Sequence, residues 1–208
     1  MVKKRLKFQA AAILATLALT MGPALVAAET PPGPTPAGGT LEQRVAQRKA
    51  ERGTALIEKD FKRLLTTCVA AQIKLRVIQK DDVAMFAKRT RVYGAIDSKL
   101  WIVTGQLKLA NQDTFQLQKQ HQDLVGKIGN FQTIATDYRQ ALDDTVVMNC
   151  QADPNGFKAL LDTTRIYYTQ LHAQSTATQA QILNTIKPTL KTHINDLQAK
   201  PVNAPESQ

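Results

Sequence analysis

The sequence contains few of the residues that usually build catalytic or metal sites. It has two cysteines, three histidines and one tryptophan among 208 residues, and aromatic residues make up 5% of the chain. No phosphate-binding GxxxxGK[ST] loop, GxSxG nucleophile turn, HExxH zinc motif or metal-type cysteine cluster is present. We therefore predict that the protein is not an enzyme and carries no cofactor or metal. The same scarcity of aromatic residues and binding motifs argues against nucleic acid as a partner.

Proline is absent from residues 40–153, and the alternation of Val, Ile and Thr that is typical of strands is absent as well. Long proline-free runs rich in Ala, Leu, Gln, Lys and Arg favour helix. The sequence therefore predicts an all-α protein, built as an elongated antiparallel three-helix bundle or coiled coil. Its helices should cover about residues 41–110, 113–149 and 154–198.

The first 28 residues have the pattern of an export signal. A basic stretch, MVKKRLK, precedes an apolar stretch and a small-residue cleavage site that ends at Ala28. The segment from Phe8 to Ala28 is also long enough to span a bilayer, so a retained anchor is an open alternative. In both cases the rest of the chain should be exported, either secreted or associated with the envelope. We expect contact with a membrane only if the signal segment is uncleaved.

Composition divides the remaining chain into three parts. Residues 29–40 form a Pro/Gly-rich spacer, residues 41–200 a helical bundle domain and residues 201–208 a disordered tail. Basic residues concentrate early in the domain: residues 41–110 hold 15 basic and 7 acidic side chains, whereas residues 111–208 hold 8 basic and 9 acidic ones. This asymmetry favours an acidic protein face or an anionic envelope component as the partner.

Apolar residues recur every three or four positions from Phe61 to Leu107, as expected for one long helix. Asp82 and Arg89 fall inside this stripe, either as a polar layer or rotated to a solvated rim. Farther along the chain, Pro188 should kink the third helix near residues 184–187.

Asn111 marks the expected end of the first helix, because asparagine tolerates the left-handed conformation. Asp113 or Thr114 can then cap a second helix, which makes the two helices a hairpin. An unbroken helix through Asn111 is the alternative, since the apolar spacing continues without a slip.

A hairpin at this position would bring the two cysteines together. It places Cys150 opposite residue 72 or so, about one helical turn from Cys68. An even number of cysteines in an exported chain is expected to pair, so we predict a Cys68–Cys150 disulfide. Two reduced, buried thiols are the alternative.

The same hairpin register leaves residues 40–63 without another helix of the chain to pack against. Thr40 and Gln43 are placed to form a capping box, and Gly53 is a weak point in the helix. The segment is either a frayed, solvated helix or a docking arm, through which the chain would also self-associate. Its basic residues form the predicted contact surface: Arg44, Arg48, Lys49, Arg52, Lys59, Lys62 and Arg63.

A helix corner follows Cys150. Asp153 is a suitable N-cap, Pro154 a suitable first helical residue and Phe157 the first core anchor. With the export signal, the proline spacer and the long helices, this Cys-x-x-Asp-Pro-x-x-Phe corner resembles uncharacterised exported coiled-coil proteins of small-genome bacteria. The resemblance covers about residues 85–198 and implies no activity.

The hypothesis that follows is an exported, non-enzymatic helical protein of the cell envelope or surface with a structural or protein-interaction role. One alternative is a periplasmic-type holdase chaperone that holds unfolded clients with basic helical arms. Another is a small-ligand-binding sensor, in which the polar section from His172 to Gln181 would line a cavity.

Fractionation of the native host cells, followed by intact-mass measurement, tests the export signal. We expect the protein outside the cytoplasm with Glu29 as its first residue, because small residues precede that position. A full-length protein in the membrane fraction would identify a retained anchor. A full-length protein in the cytoplasm would refute export.

Overall fold

The computed structural model describes residues 38–53 and 56–199, and every regular element in these ranges is helical. Helix α1 covers Leu41–Arg52, α2 covers Glu58–Leu109 and α3 covers Phe115–Val147. Helix α4 begins with Pro154–Ala180, continues as a π-helical segment, Gln181–Ile186, and ends with Lys187–Ala199. The predicted all-α helical bundle is confirmed. The predicted signal peptide, most of the predicted spacer and the predicted C-terminal tail lie outside the described residues.

The first predicted helix, residues 41–110, is two helices, so this prediction is wrong. Thr40 and Gln43 form the expected capping box at the start of α1. Gly53 then ends α1 in the left-handed conformation with a φ of 55°, and its N–H donates to the carbonyl of Lys49. Because glycine has no Cβ, this conformation costs little, and α1 stops well before α2 begins.

A turn separates α2 from α3, which excludes the alternative of one unbroken helix. Asn111 adopts the predicted left-handed conformation with a φ of 53°. The N–H of Gln112 donates to the carbonyl of Leu107, which closes the last turn of α2. At the start of α3, the carboxylate of Asp113 accepts a hydrogen bond of 2.9 Å from the N–H of Phe115.

The described residues form two compact units. The first, which we call the disulfide unit, comprises residues 38–53, 56–90 and 130–175. The second, the turn unit, comprises residues 91–129 and 176–199. Helices α2, α3 and α4 each contribute residues to both units.

Hydrogen bonds between α2 and α3 define the register of the disulfide unit. The side chain of Gln72 donates to the carbonyl of Met148 at 2.8 Å. That of Gln79 donates to Asp143 at 2.5 Å. Residue numbers thus rise along α2 as they fall along α3, and this is the register from which the cysteine pair was predicted.

Both charged residues inside the apolar stripe of α2 have partners on other helices. Asp82 accepts a hydrogen bond of 2.5 Å from the hydroxyl of Tyr138 on α3, and Arg89 donates one of 2.8 Å to the hydroxyl of Ser175 on α4. Burial and the neighbouring Asp82 carboxylate raise the pKa of Tyr138, so its phenol stays protonated and remains the donor. These contacts support the polar layer rather than the solvated rim.

The turn unit has a mainly apolar interior, with polar contacts between its helices. Its buried residues include Leu100, Leu107, Leu117, Leu124 and Leu190. Nε2 of His121 lies 2.6 Å from the carboxylate of Asp97, and the buried Gln120 donates to the hydroxyl of Thr189 at 2.9 Å.

A π-helical segment, Gln181–Ile186, lies where the kink before Pro188 is predicted. Pro188 has no N–H to donate to the preceding turn, so the regular ladder cannot continue through it. The N–H of Lys187 donates instead to the carbonyl of Ile182, five residues back. Ile182 and Ile186 both remain buried across this wider turn.

The predicted disulfide is confirmed. The sulfur atoms of Cys68 and Cys150 are 2.10 Å apart, across a sequence separation of 82 residues. Both cysteines are buried and pack in one core cluster with Met148, Phe157 and Leu160. Phe157 has no exposed surface, as expected of the first core anchor of α4.

Replacement of both cysteines, Cys68→Ala with Cys150→Ala, should lower the free energy of unfolding by about 4 kcal/mol. The reason is that the crosslink restricts the unfolded chain across a long loop. Denaturant titration of the oxidised protein and of the double variant measures the difference. Reduced wild-type protein serves as the control and should behave like the variant; equal stability of oxidised and reduced protein would show that the crosslink contributes nothing.

Candidate interaction surface

Helix α1 packs against α3 and α4, so the prediction that residues 40–63 lack a partner in the chain is wrong. The guanidinium of Arg44 donates two hydrogen bonds of 2.6 Å to the carboxylate of Asp144 on α3. The side chain of Asp144 is 5% exposed and that of Arg44 is 15% exposed. The hydrogen bonds to Asp144 raise the pKa of Arg44, so its guanidinium stays charged.

Arg48 is the second anchor of α1. Its guanidinium forms an ion pair of 2.7 Å with Glu51 and lies 5.9 Å from the centre of the Tyr167 ring on α4, within reach of a cation–π interaction. Beside it is a cavity of about 50 Å³ that Asp137 and Gln140 help to line. Burial raises the pKa of Asp137, and the charge of Arg48 opposes that rise. A cavity of this size holds water but not an organic ligand.

The helix corner also holds α1. As predicted, α4 begins at Pro154, and the carboxylate of Asp153 caps it by accepting a hydrogen bond of 2.9 Å from the N–H of Gly156. A Cβ on Gly156 would lie 2.8 Å from a methyl group of Val45, so only glycine lets α1 come this close. Val45 itself packs against the disulfide cluster. The sequence reasoning identified the corner but missed its role as the docking site of α1.

The structure divides the predicted basic surface into three groups. Three of its residues contact other parts of the chain and hold α1 in place: Arg44, Arg48 and Lys49, the last through an ion pair of 3.2 Å with Asp153. Arg52 is partly exposed at the end of α1. The remaining members are exposed at the start of α2: Lys59, Lys62 and Arg63. Lys49 on α1 is exposed as well, so the solvent-facing part of the predicted surface consists of Lys49 and the three residues at the start of α2.

A row of apolar side chains on the solvent side of α2 was missed by the sequence reasoning. Val69, Ile73 and Val77 follow one another at four-residue spacing and are 48%, 60% and 59% exposed. We call these three residues the outer strip. The signal that would have found it is a run of β-branched residues at helical spacing that falls outside the stripe facing the core.

Basic side chains border the outer strip. Lys74, Arg76 and Lys80 each lie three residues from Ile73 or Val77, which places them beside the strip on the helix surface. All three are exposed, and among the described residues none of them takes part in an ion pair or hydrogen bond. The outer strip is therefore an apolar ridge in a positive environment.

No known protein family, curated protein or solved structure matches this chain. Interpretation of the surface therefore rests on its own geometry. Within residues 38–53 and 56–199, no group of three or more His, Cys, Asp or Glu side chains could hold a metal ion. Nor does any helix in these ranges have the length and apolarity needed to cross a membrane.

The section proposed to line a ligand cavity contains buried side chains. Ser175 is 8% exposed, and Thr178 has no exposed surface. The small-ligand sensor stays a prediction.

Substitution of Asp144→Asn should weaken the attachment of α1, because the new amide cannot accept a bidentate, charge-assisted bond from Arg44. We expect α1 to lose about 1.5–3 kcal/mol of its protection against hydrogen exchange, with little change in the turn unit. Hydrogen-exchange mass spectrometry measures both. Asp143→Asn is the matched control, since Asp143 is an exposed neighbour that bonds Gln79 on α2 instead. Unchanged exchange in α1 would mean that the ion pair does not hold it.

Proposed function

We propose that the protein is exported and acts outside the cytoplasm as a non-enzymatic helical interaction protein, which binds a protein partner through the outer strip of α2. The observation that carries this proposal is the strip: Val69, Ile73 and Val77 are 48–60% exposed in a row, whereas isolated exposed apolar residues are common on any protein. A contiguous apolar ridge with a charged border is typical of a surface that a partner covers.

The disulfide supports action outside the cytoplasm. Disulfides such as Cys68–Cys150 persist in oxidising compartments and are rare in the cytosol. The basic and apolar pattern at the N-terminus supports the same location. We also propose that this N-terminal segment is cleaved rather than retained as a membrane anchor.

The proposal extends to the finer architecture. We infer that α2, α3 and α4 form an antiparallel three-helix bundle to which α1 is added, and the α2–α3 hydrogen bonds of the disulfide unit support this inference. Kinship with exported coiled-coil proteins of small-genome bacteria is a further part of the proposal. Its support is the corner of Cys150, Asp153, Pro154 and Phe157.

Photo-crosslinking in the native host cells tests the function. We expect a full-length protein with p-benzoylphenylalanine in place of Ile73 to give one discrete crosslinked protein in the oxidising compartment. The side chain at that position is 60% exposed, so the probe should not disturb the core. The same amino acid in place of Gln122, an exposed residue of α3, is the control and should give no such product.

Other results would assign a different role. Many products of different sizes from Ile73 would indicate a holdase with many clients. A product from both positions, or from neither, would refute a partner that docks on the outer strip.

A further inference from the structure

The shape of the outer strip indicates what kind of partner fits it. Val69, Ile73 and Val77 form a four-residue ridge of the kind that packs between the side chains of a neighbouring helix. Their β-branched side chains have restricted χ1 rotamers in a helix, so they lose little conformational freedom when a partner covers them. A long, regular helix carries the ridge, since α2 runs from Glu58 to Leu109 without a break.

The basic residues around the outer strip favour a partner with negative charge. The stretch from Phe61 to Lys80 holds five basic residues and no acidic one. Lys74, Arg76 and Lys80 border the strip and are exposed to solvent. Two copies of the chain joined face to face through this strip would bring like charges together, whereas Asp or Glu side chains on a partner would gain favourable contacts.

A groove at the end of the strip is lined by charged side chains of both signs. It has a volume of about 410 Å³ and lies between α2 and α3, beside Lys80 and Arg139. The two carboxylates in its wall already accept hydrogen bonds within the chain, Asp82 from Tyr138 and Asp143 from Gln79. The cations of Lys80 and Arg139 have no such partner among the described residues.

A lipid surface fits the strip less well than a helix does. Helices that lie in a membrane interface usually present Trp, Phe or Leu on their apolar face. The outer strip consists of Val and Ile only, and its helix is already packed against α3 in the disulfide unit.

We propose that the outer strip binds an acidic amphipathic helix of another protein. The apolar face of that helix packs along Val69, Ile73 and Val77, and its Asp or Glu side chains meet Lys74, Arg76 and Lys80. This inference rests on the proposed function and specifies the chemistry of its partner.

The test uses two staple-stabilised helical peptides as probes, both with Leu and Val along one face. One has Glu beside that face, and the other has Lys at the same positions. Fluorescence anisotropy measures their binding to the oxidised, exported protein. We expect the acidic peptide to bind at least about tenfold more tightly than the basic one, with an affinity that falls as salt concentration rises.

Variants of the protein locate the binding site. Ile73→Ser should weaken binding of the acidic peptide at least about tenfold, and so should the pair Arg76→Glu with Lys80→Glu. The matched control, Lys108→Glu with Lys119→Glu, makes the same change in net charge at exposed sites of the turn unit and should leave binding unchanged. Circular dichroism and thermal melting verify that each variant folds.

Several outcomes would overturn the inference. These are equal binding of the two peptides, or binding that the strip variants leave intact. Strip-dependent binding of anionic lipid vesicles without peptide binding would assign the strip to a membrane. Self-association that Ile73→Ser abolishes, measured by sedimentation, would assign it to a second copy. Crosslinking of a partner at position 73 without acidic-peptide binding would overturn the partner chemistry and leave the proposed function standing.

Discussion

The disulfide between Cys68 and Cys150 joins the early part of α2 to the corner before α4, and the arrangement of the disulfide unit depends on it. It ties α2 to the residues between α3 and α4. One turn beyond Cys68, the side chain of Gln72 donates to the carbonyls of Thr145, Val146 and Met148. These carbonyls lie at the end of α3, where the helix itself provides no donors. The covalent bond and these hydrogen bonds therefore fix one register between α2 and α3.

The residues of the helix corner next to the disulfide have several structural roles. Asp153 caps α4 and pairs with Lys49, while Asn155 accepts a hydrogen bond from the N–H of Leu56. Gly156 leaves room for α1. Because the same few residues end one helix, start the next and hold a third, the attachment of α1 depends on the geometry that the disulfide maintains.

The inner and outer sides of α2 consequently have different roles. The inner side is occupied by Cys68, Gln72 and Asp82, each bonded to α3 or to the corner. The outer side carries Val69, Ile73 and Val77 with exposed basic neighbours. The basic residues also differ in role: Arg44, Arg48 and Arg89 make contacts within the fold, whereas Lys74, Arg76 and Lys80 of α2 remain exposed to solvent.

Local sequence signals determined the helical class, the capping box at Thr40 and Gln43, the turn at Asn111 and the start of α4 at Pro154. Each depends on residues close together in the chain. The cysteine pair could also be predicted from the sequence, because the helical rise and the position of one turn fix which residues of a hairpin face each other.

Only the tertiary structure decided where α1 lies and which face of α2 stays exposed. Arg44 and Asp144 are 100 residues apart, and nothing near either one in sequence indicates that they pair. The exposure of Ile73 depends likewise on which side of α2 the other helices cover. Periodicity along one helix locates its faces, but the contacts between helices determine which face is buried.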